Sequence, residues 1–461
     1  EGAYNDPGFN KLDTLGATAT LNWSFESITV TSITDYQTVK RDYIEDSDAS
    51  PEPFFNFFLN TDAQQFSQEL RVAGNMDWLN WVAGFYYLDL QVGDANGFES
   101  EPFGDFVLAP AVGLEPTADL TGFDVPYTTD TQSWSFFGQA EITFLETLSA
   151  TLGLRYIQDD KQHDYRQNLV DFLPNSRRRN GNPNVRFTFG EYTGERSDSL
   201  VSARTALGWQ PLEDLLVFGS WNRGVKGGAF NSPIFPPTEP LGYDDATLSY
   251  APEELDAFEI GVKSQFLDRR IQLNASAYYY DYNNYQAFTI VGIDTLTRNA
   301  DAESRGFEVE AIAVPVAGLL LRGGVAYTDI DVFLEPGADP TVSVQTPEWN
   351  VNFLARYDLP LGDVGTLGVQ FDGDYRSEHF FALTRAPTVT EDGYLVANAS
   401  ISFSTGTWGV SAYVRNVFDE AYLVQTFDLS STDVFGLTEQ YYGRPQWWGF
   451  TAQWNFDAAL L

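Results

Sequence analysis

A chain of 461 residues with 26 basic against 65 acidic side chains carries a formal charge of −39. Such a surface repels phosphate and excludes nucleic acid as a partner, and with no cysteine there is neither a disulfide framework nor a thiolate metal site. Hydrophobic residues reach 43% while mean hydropathy is −0.24, and no run approaches the ~18 apolar residues of a membrane helix.

In chain order, the first two-faced segment, Leu15 to Trp23, ends in the short turn Ser24-Phe25. Further short connections fall at Gly74 to Asp77, Leu145 to Thr147, Pro211 to Asp214, Asp268-Arg269, Val314 to Ala317, Pro360 to Gly365 and Thr405-Gly406. Long polar stretches alternate with them: Arg41 to Asp62, Gly93 to Thr129, Arg166 to Ser197, Asn231 to Tyr250, Ile330 to Gln345, Glu378 to Asp392 and Ser430 to Thr438. Between the connections the residues alternate in character. Leu148, Ala150, Leu152, Leu154 and Tyr156 are interleaved with Ser149, Thr151, Gly153 and Arg155, and the last such segment carries Trp448, Phe450, Ala452, Trp454 and Phe456. Side chains of a strand alternate between faces, so each segment has one apolar and one polar side.

About 17 such segments without an intervening helix predict an all-β fold, a transmembrane antiparallel β-barrel with lipid outside and water inside. Aromatic residues at 15% supply the girdles at the two interfaces. A soluble propeller needs a repeat of fixed period, and the spacing here is irregular. Short turns belong on the periplasmic rim and long loops on the outer one. Leu15 to Trp23 and Gln446 to Phe456 then both run toward the periplasm, an odd count. Closed single-chain barrels normally have an even count, so strands before Glu1 are expected, and the two edge strands are expected to gape or to pair poorly. Residues 1–456 are expected to be part of a barrel and 457–461 a C-terminal tail.

Several strands resemble those of TonB-dependent outer-membrane receptors. These are Phe66–Ala73 (FSQELRVA), Gly224–Phe230 (GVKGGAF), Tyr250–Lys263 (YAPEELDAFEIGVK), Arg305–Glu310 (RGFEVE) and Val414–Tyr422 (VRNVFDEAY), with Gly443-Arg444-Pro445 opening the last strand. The resemblance implies a barrel of about 22 strands, of which this chain holds about 17, around an N-terminal plug reached by TonB that is not found here. It further implies outer-membrane localisation among lipid and lipopolysaccharide and a small-molecule ligand such as a ferric siderophore; for want of a catalytic motif, no enzymatic activity is expected. A passive porin-like channel is the alternative.

The polar faces predict a lumen lined by Glu69, Arg71, Gln139, Glu141, Arg155, Glu259, Lys263, Glu308, Glu310, Asp372, Asp374 and Arg415, because mixed charge cannot face lipid. Two outer loops are candidates for ligand capture. Phe54, Phe55, Phe57 and Phe58 offer rings for a flat ligand, or pack on their neighbours. Arg177, Arg178 and Arg179 offer guanidinium forks for an anion, or form a solvated basic turn. The −39 charge either solvates the loops or attracts cationic ligands. His163 and His379, the two histidines, read as loop-base residues rather than catalysts, and no nucleophile elbow or zinc motif accompanies them. Asp46-Ser47-Asp48 and the acids between Asp94 and Asp105 lack calcium-loop spacing. No metal or cofactor is expected.

Overall fold

The computed structural model describes residues 6–47, 51, 55–100, 113, 120–172, 184–235, 242–291, 294–335, 337–383, 385–428 and 438–455. Seventeen strands form one sheet. They are β1 (Phe9–Ser24), β2 (Ile28–Asp46), β3 (Asn56–Met76), β4 (Leu79–Ser100), β5 (Leu120–Leu145) and β6 (Leu148–Phe172). Next come β7 (Asn184–Leu212), β8 (Leu215–Lys226), β9 (Glu253–Phe266), β10 (Ile271–Val291), β11 (Asp294–Ala313) and β12 (Leu319–Phe333). The series ends with β13 (Trp349–Pro360), β14 (Thr366–Arg376), β15 (Tyr394–Ser404), β16 (Trp408–Arg415) and β17 (Trp447–Trp454).

Each strand pairs antiparallel with the next, so β1 and β17 run the same way. Among the described residues no ladder joins those two. No described helix is long and apolar enough to cross a membrane, which has no bearing on strands.

The register carries the side-chain alternation across the wall. Leu70, Phe85, Phe136, Tyr156 and Val201 lie in one row; Arg71, Gly84, Phe137, Arg155 and Ser202 lie in the next, on the opposite face. The first row belongs to the exposed apolar face, which includes Leu154 at 61% and Ile260 at 63% exposure. Burying such residues against lipid rather than water stabilises the wall by roughly 25 cal/mol per Å². Trp23, Trp78, Trp209, Trp408 and Trp454 crowd the rim of short turns, all exposed. Toward the far rim, Phe307, Tyr327 and Trp349 form an outward aromatic run with centroids 4.9–6.0 Å apart. On β5 the stretch from Phe144 to Trp134 rises about 25 Å at the usual strand rise and tilt, the height of the apolar band of an outer-membrane barrel.

The short turns stand where the sequence places them, but the long polar stretches differ. Much of Arg41 to Asp62, Gly93 to Thr129 and Arg166 to Ser197 is strand rather than loop: β2 to β7 run far past the ~10 residues that cross a bilayer. Above the bilayer the outward side chains become polar, as in Gln158, Asp160, Ser197 and Ser199, which are hydrogen-bonded to one another across β6 and β7. Backbone pairing continues unchanged because it does not depend on which solvent faces the side chains.

Candidate functional site: the inner face and the outer mouth

The inner face is built from alternate residues of every wall strand. Glu141, Thr151, Ala206, Ser220, Glu259 and Tyr278 form one continuous row from β5 to β10. Glu69 shares this face with Arg71, 3.4 Å away, and Arg155 places its guanidinium 5.7 Å from the Tyr86 ring centre and 5.8 Å from that of Phe137. The Phe137 ring lies over Gly84, where a Cβ would strike it. That close approach is the physical need for glycine at this position. Lys263 sits over Phe218 at 5.7 Å and Arg415 over Tyr413 at 5.6 Å. Arg204, Glu259, Lys263, Glu308 and Glu310 line one concavity of about 630 Å³. The sequence-derived lumen residues thus share one polar face. Chemically it offers mixed charge and amphipathic cation–ring pairs. Among the described residues no three His, Asp or Glu gather as a metal site.

Toward the outer rim the same face turns aromatic. Phe55, Phe98, Phe123, Val125, Tyr165, Tyr192, Phe235 and Leu248 form a buried cluster, with Phe57, Tyr127, Phe230 and Tyr243 packed against it. Phe98 meets Phe123 and Phe235 at 5.3 Å and Phe55 at 5.0 Å, separations at which each ring pair adds ~0.5–1.5 kcal/mol beyond area burial. The segment between β8 and β9 supplies Phe230, Phe235, Tyr243 and Leu248 and crosses the face as a strap. Its helical turn Asp245–Leu248 is N-capped by Asp244, which accepts from the Thr247 amide. Tyr165 donates to the Pro233 carbonyl at 2.6 Å, Gln167 to the Ile234 carbonyl, and Tyr192 to Asp245 at 2.5 Å. Asn231 clasps Thr297 of β11 through both amide atoms, at 2.8 and 3.0 Å. Tyr243 lies flat where any side chain at Gly190 would collide with it.

This packing corrects the first capture candidate. Phe55 and Phe58 are 4% and 2% exposed and Phe57 is half-buried, so these rings are not free to stack on a ligand. Neighbouring rings on a strand point to opposite faces. Phe55 and Phe57 enter the inner cluster while Phe58 is sealed by Ile44 and Val170 on the other side. Apolar rings in water cost roughly 1.5–3 kcal/mol each relative to burial, and Phe98, Phe123 and Phe235 offered partners in neighbouring segments. Phe54, Arg177, Arg178 and Arg179 lie outside the described residues.

His163 is 1% exposed and joins strap to wall. Its Nδ1 is 2.8 Å from Thr129 Oγ1 and its Nε2 3.3 Å from Ser232 Oγ, with Phe230 stacked on the ring at 5.0 Å. Burial pulls its pKa down to about 4, against the opposing pull of Asp164. Sealed among four aromatic rings, it is a neutral latch rather than a base open to substrate. Burial likewise raises the pKa of the Tyr127 and Tyr192 phenols, with help from Asp94 and Asp245. His379 lies at the opposite side of the mouth, its Nδ1–H donating to the Ser377 carbonyl at 3.1 Å. Asp94 of β4 accepts from Tyr127 at 2.9 Å, while Asp48 and Asp105 lie outside the described residues.

The family model for the TonB dependent receptor-like β-barrel matches residues 1–417. The ferrichrome outer membrane transporter/phage receptor of Escherichia coli is 24% identical over 213 residues, 45% of this chain and 28% of that protein. The metal-pseudopaline receptor of Pseudomonas aeruginosa is 23% identical over 299 residues, 63% of this chain and 37% of that protein. This chain therefore spans about a third of the length of these relatives. The structure of the ferric yersiniabactin uptake receptor of Yersinia pestis superposes with a TM-score of 0.76 at 16% identity, covering 99% of this chain and 63% of that one. The siderophore receptor PiuA of Acinetobacter baumannii superposes with a TM-score of 0.70 at 15% identity, covering 97% and 65%. With its antiparallel wall, outward apolar face and matched family model, the chain belongs to the TonB-dependent receptors and is an outer-membrane β-barrel chain.

Proposed function

We propose that this chain is the wall of a receptor that captures a large, scarce small-molecule ligand outside the cell and passes it through the lumen. The observation that carries the reading is the mixed charge gathered on one face, Glu69 with Arg71, Arg155, and Arg204 with Glu259, Lys263, Glu308 and Glu310, behind an exposed apolar one. Charge of both signs at that density belongs beside water or a polar partner and not beside lipid, where an Arg at mid-depth costs ~2–4 kcal/mol. The face bearing Glu69, Arg71, Glu141, Arg155, Glu259, Lys263, Glu308, Glu310 and Arg415 then lines the lumen. The relatives named as siderophore and metal receptors favour a metal-loaded organic chelate as ligand. TonB, acting on a plug of the whole protein, supplies the energy; lipid and lipopolysaccharide surround the wall. The role is transport rather than catalysis.

The test is uptake of a panel of ferric siderophores by cells carrying the whole receptor, with and without TonB. Uptake that stops without TonB supports the reading. Uptake that continues at the same rate and scales linearly with concentration contradicts it.

A further inference from the structure

Across the mouth from the strap, the inner face opens into a cavity of about 380 Å³ between β14, β15 and the loops beyond β14 and β16. A cavity of this size accommodates a small-molecule fragment. Two residues of the wall project into it from β14, Asp374 and Arg376; Tyr394 of β15 lies opposite Arg376 in the ladder. Tyr394 and Tyr422 are stacked, centroids 4.8 Å apart and planes 20° from parallel. His379 and Phe381 close the side at 5.3 Å from each other.

Arg376 is exposed, hydrogen-bonds the Tyr394 phenol and makes no ion pair among the described residues, unlike Arg196, Arg223, Arg305 and Arg356, each paired with an aspartate. In a chain where acids outnumber bases 65 to 26, a guanidinium that holds a phenol but no carboxylate has donors left for an anion carried by the ligand. The His379 ring has its Nδ1–H committed to a backbone carbonyl, which turns Nε2 into an acceptor when the ring is neutral. Asp374, two residues along the same face, is a second acceptor.

From this geometry we propose that the cavity is a ligand subsite for a flat aromatic group bearing one acid substituent and one hydrogen-bond donor. The acid docks on Arg376, the donor meets Asp374 or His379 Nε2, and the ring packs against Tyr422 and Phe381, with Tyr394 backing Tyr422. The charge of −39 opposes a polyanion at long range, so one acid group is the limit set by the surroundings. The proposal rests on the receptor reading above and narrows it to a ligand class.

The test uses the full-length receptor in detergent, with 3-hydroxybenzoate, benzoate and cyclohexanecarboxylate as probes, titrated by ligand-observed NMR. Saturable binding is expected in the order 3-hydroxybenzoate, benzoate, cyclohexanecarboxylate. Arg376→Gln should weaken the first at least tenfold, and Arg376→Lys less, because charge survives but the two-pronged fork does not. Retention of heat-modifiable mobility in gels shows that the variants still form a barrel. Equal binding of the ring and its saturated analogue, or no loss in Arg376→Gln, overturns the proposal. TonB-dependent uptake in wild type that is unaltered in Arg376→Gln overturns the subsite alone. Uptake independent of TonB overturns the receptor reading, while the binding titration still decides the subsite.

Discussion

Above β4–β7 the inner face is closed by a strap whose rings interlock with the wall; above β14 and β15 the same face stays hollow and presents an arginine to water. Both regions are aromatic. In the first, Phe98, Phe123 and Phe235 contact one another from three separate segments, and Asn231, Tyr165 and Tyr192 fasten the strap with hydrogen bonds. In the second, Tyr394 stacks on Tyr422 and His379 lies against Phe381, and the lining mixes Gln345, Asp374 and Arg376 with Val396, Leu423 and Val424. Aromatic content therefore does not identify a ligand site. What separates the two is that the first fills its space with ring on ring, while the second leaves a hollow shared by rings and charged side chains.

The comparison breaks most sharply at Phe123. Phe123→Ala removes the ring shared by Phe98, Phe189 and Phe235 and should cost the strap ~3–5 kcal/mol of local stability. Amide exchange should then accelerate across 227–235 and 242–252 and remain unchanged in β12–β16. Strap amides that exchange at the wild-type rate would mean that the cluster does not hold the strap.

A smaller loss is expected from Asn231→Ala, which deletes the two-sided clasp on Thr297 and leaves that backbone unpaired, at ~1–3 kcal/mol. Exchange at Thr297 and its neighbours on β11 reads this directly.

Acid should loosen the same strap through His163. Its folded pKa, about 4, lies below the unfolded value of 6.5, so the unfolded state binds the extra proton first. The stabilisation is complete above pH 6.5 and is lost as pH falls from there toward 4. A spin label at Gly242→Cys should gain mobility over that window, and His163→Gln should flatten the dependence. On the hollow side the expected change is least. Arg385 packs over the Phe380 ring at 5.7 Å, and Arg385→Gln should shift local exchange by no more than ~0.5–1 kcal/mol, the range of an exposed cation–ring contact.

The wall was legible in the sequence because the alternation from Leu148 to Tyr156 has a single cause, lipid on one side and water on the other. The short turns were legible for a related reason: the alternation stops there. Where water bathes the outer surface above the bilayer, as at Gln158, Asp160 and Ser197, a strand has the composition of a loop, and β6 and β7 run on unannounced. Phe55 and Phe58 read as exposed because Phe98 and Val170, which help cover them, belong to other strands, and the strap is tied by contacts equally remote in the chain. The bond from Tyr165 to Pro233 spans 68 residues, and that from Tyr192 to Asp245 spans 53. Arg376 carried no local signal at all. Its distinction is the hollow it faces beside Tyr394 and Tyr422, and only the arrangement of those neighbours reveals that.

The central claim is that one face of this wall meets lipid and the other water. The chain itself has no cysteine, so an introduced one is the single label site within it. The decisive measurement places spin labels at two adjacent residues of β6, Thr151→Cys and Leu152→Cys, in the receptor reconstituted in lipid. The account predicts that the label at 151 collides with a water-soluble nickel complex and the label at 152 with lipid-dissolved oxygen. The same accessibility at both positions, or the reverse assignment, would contradict it.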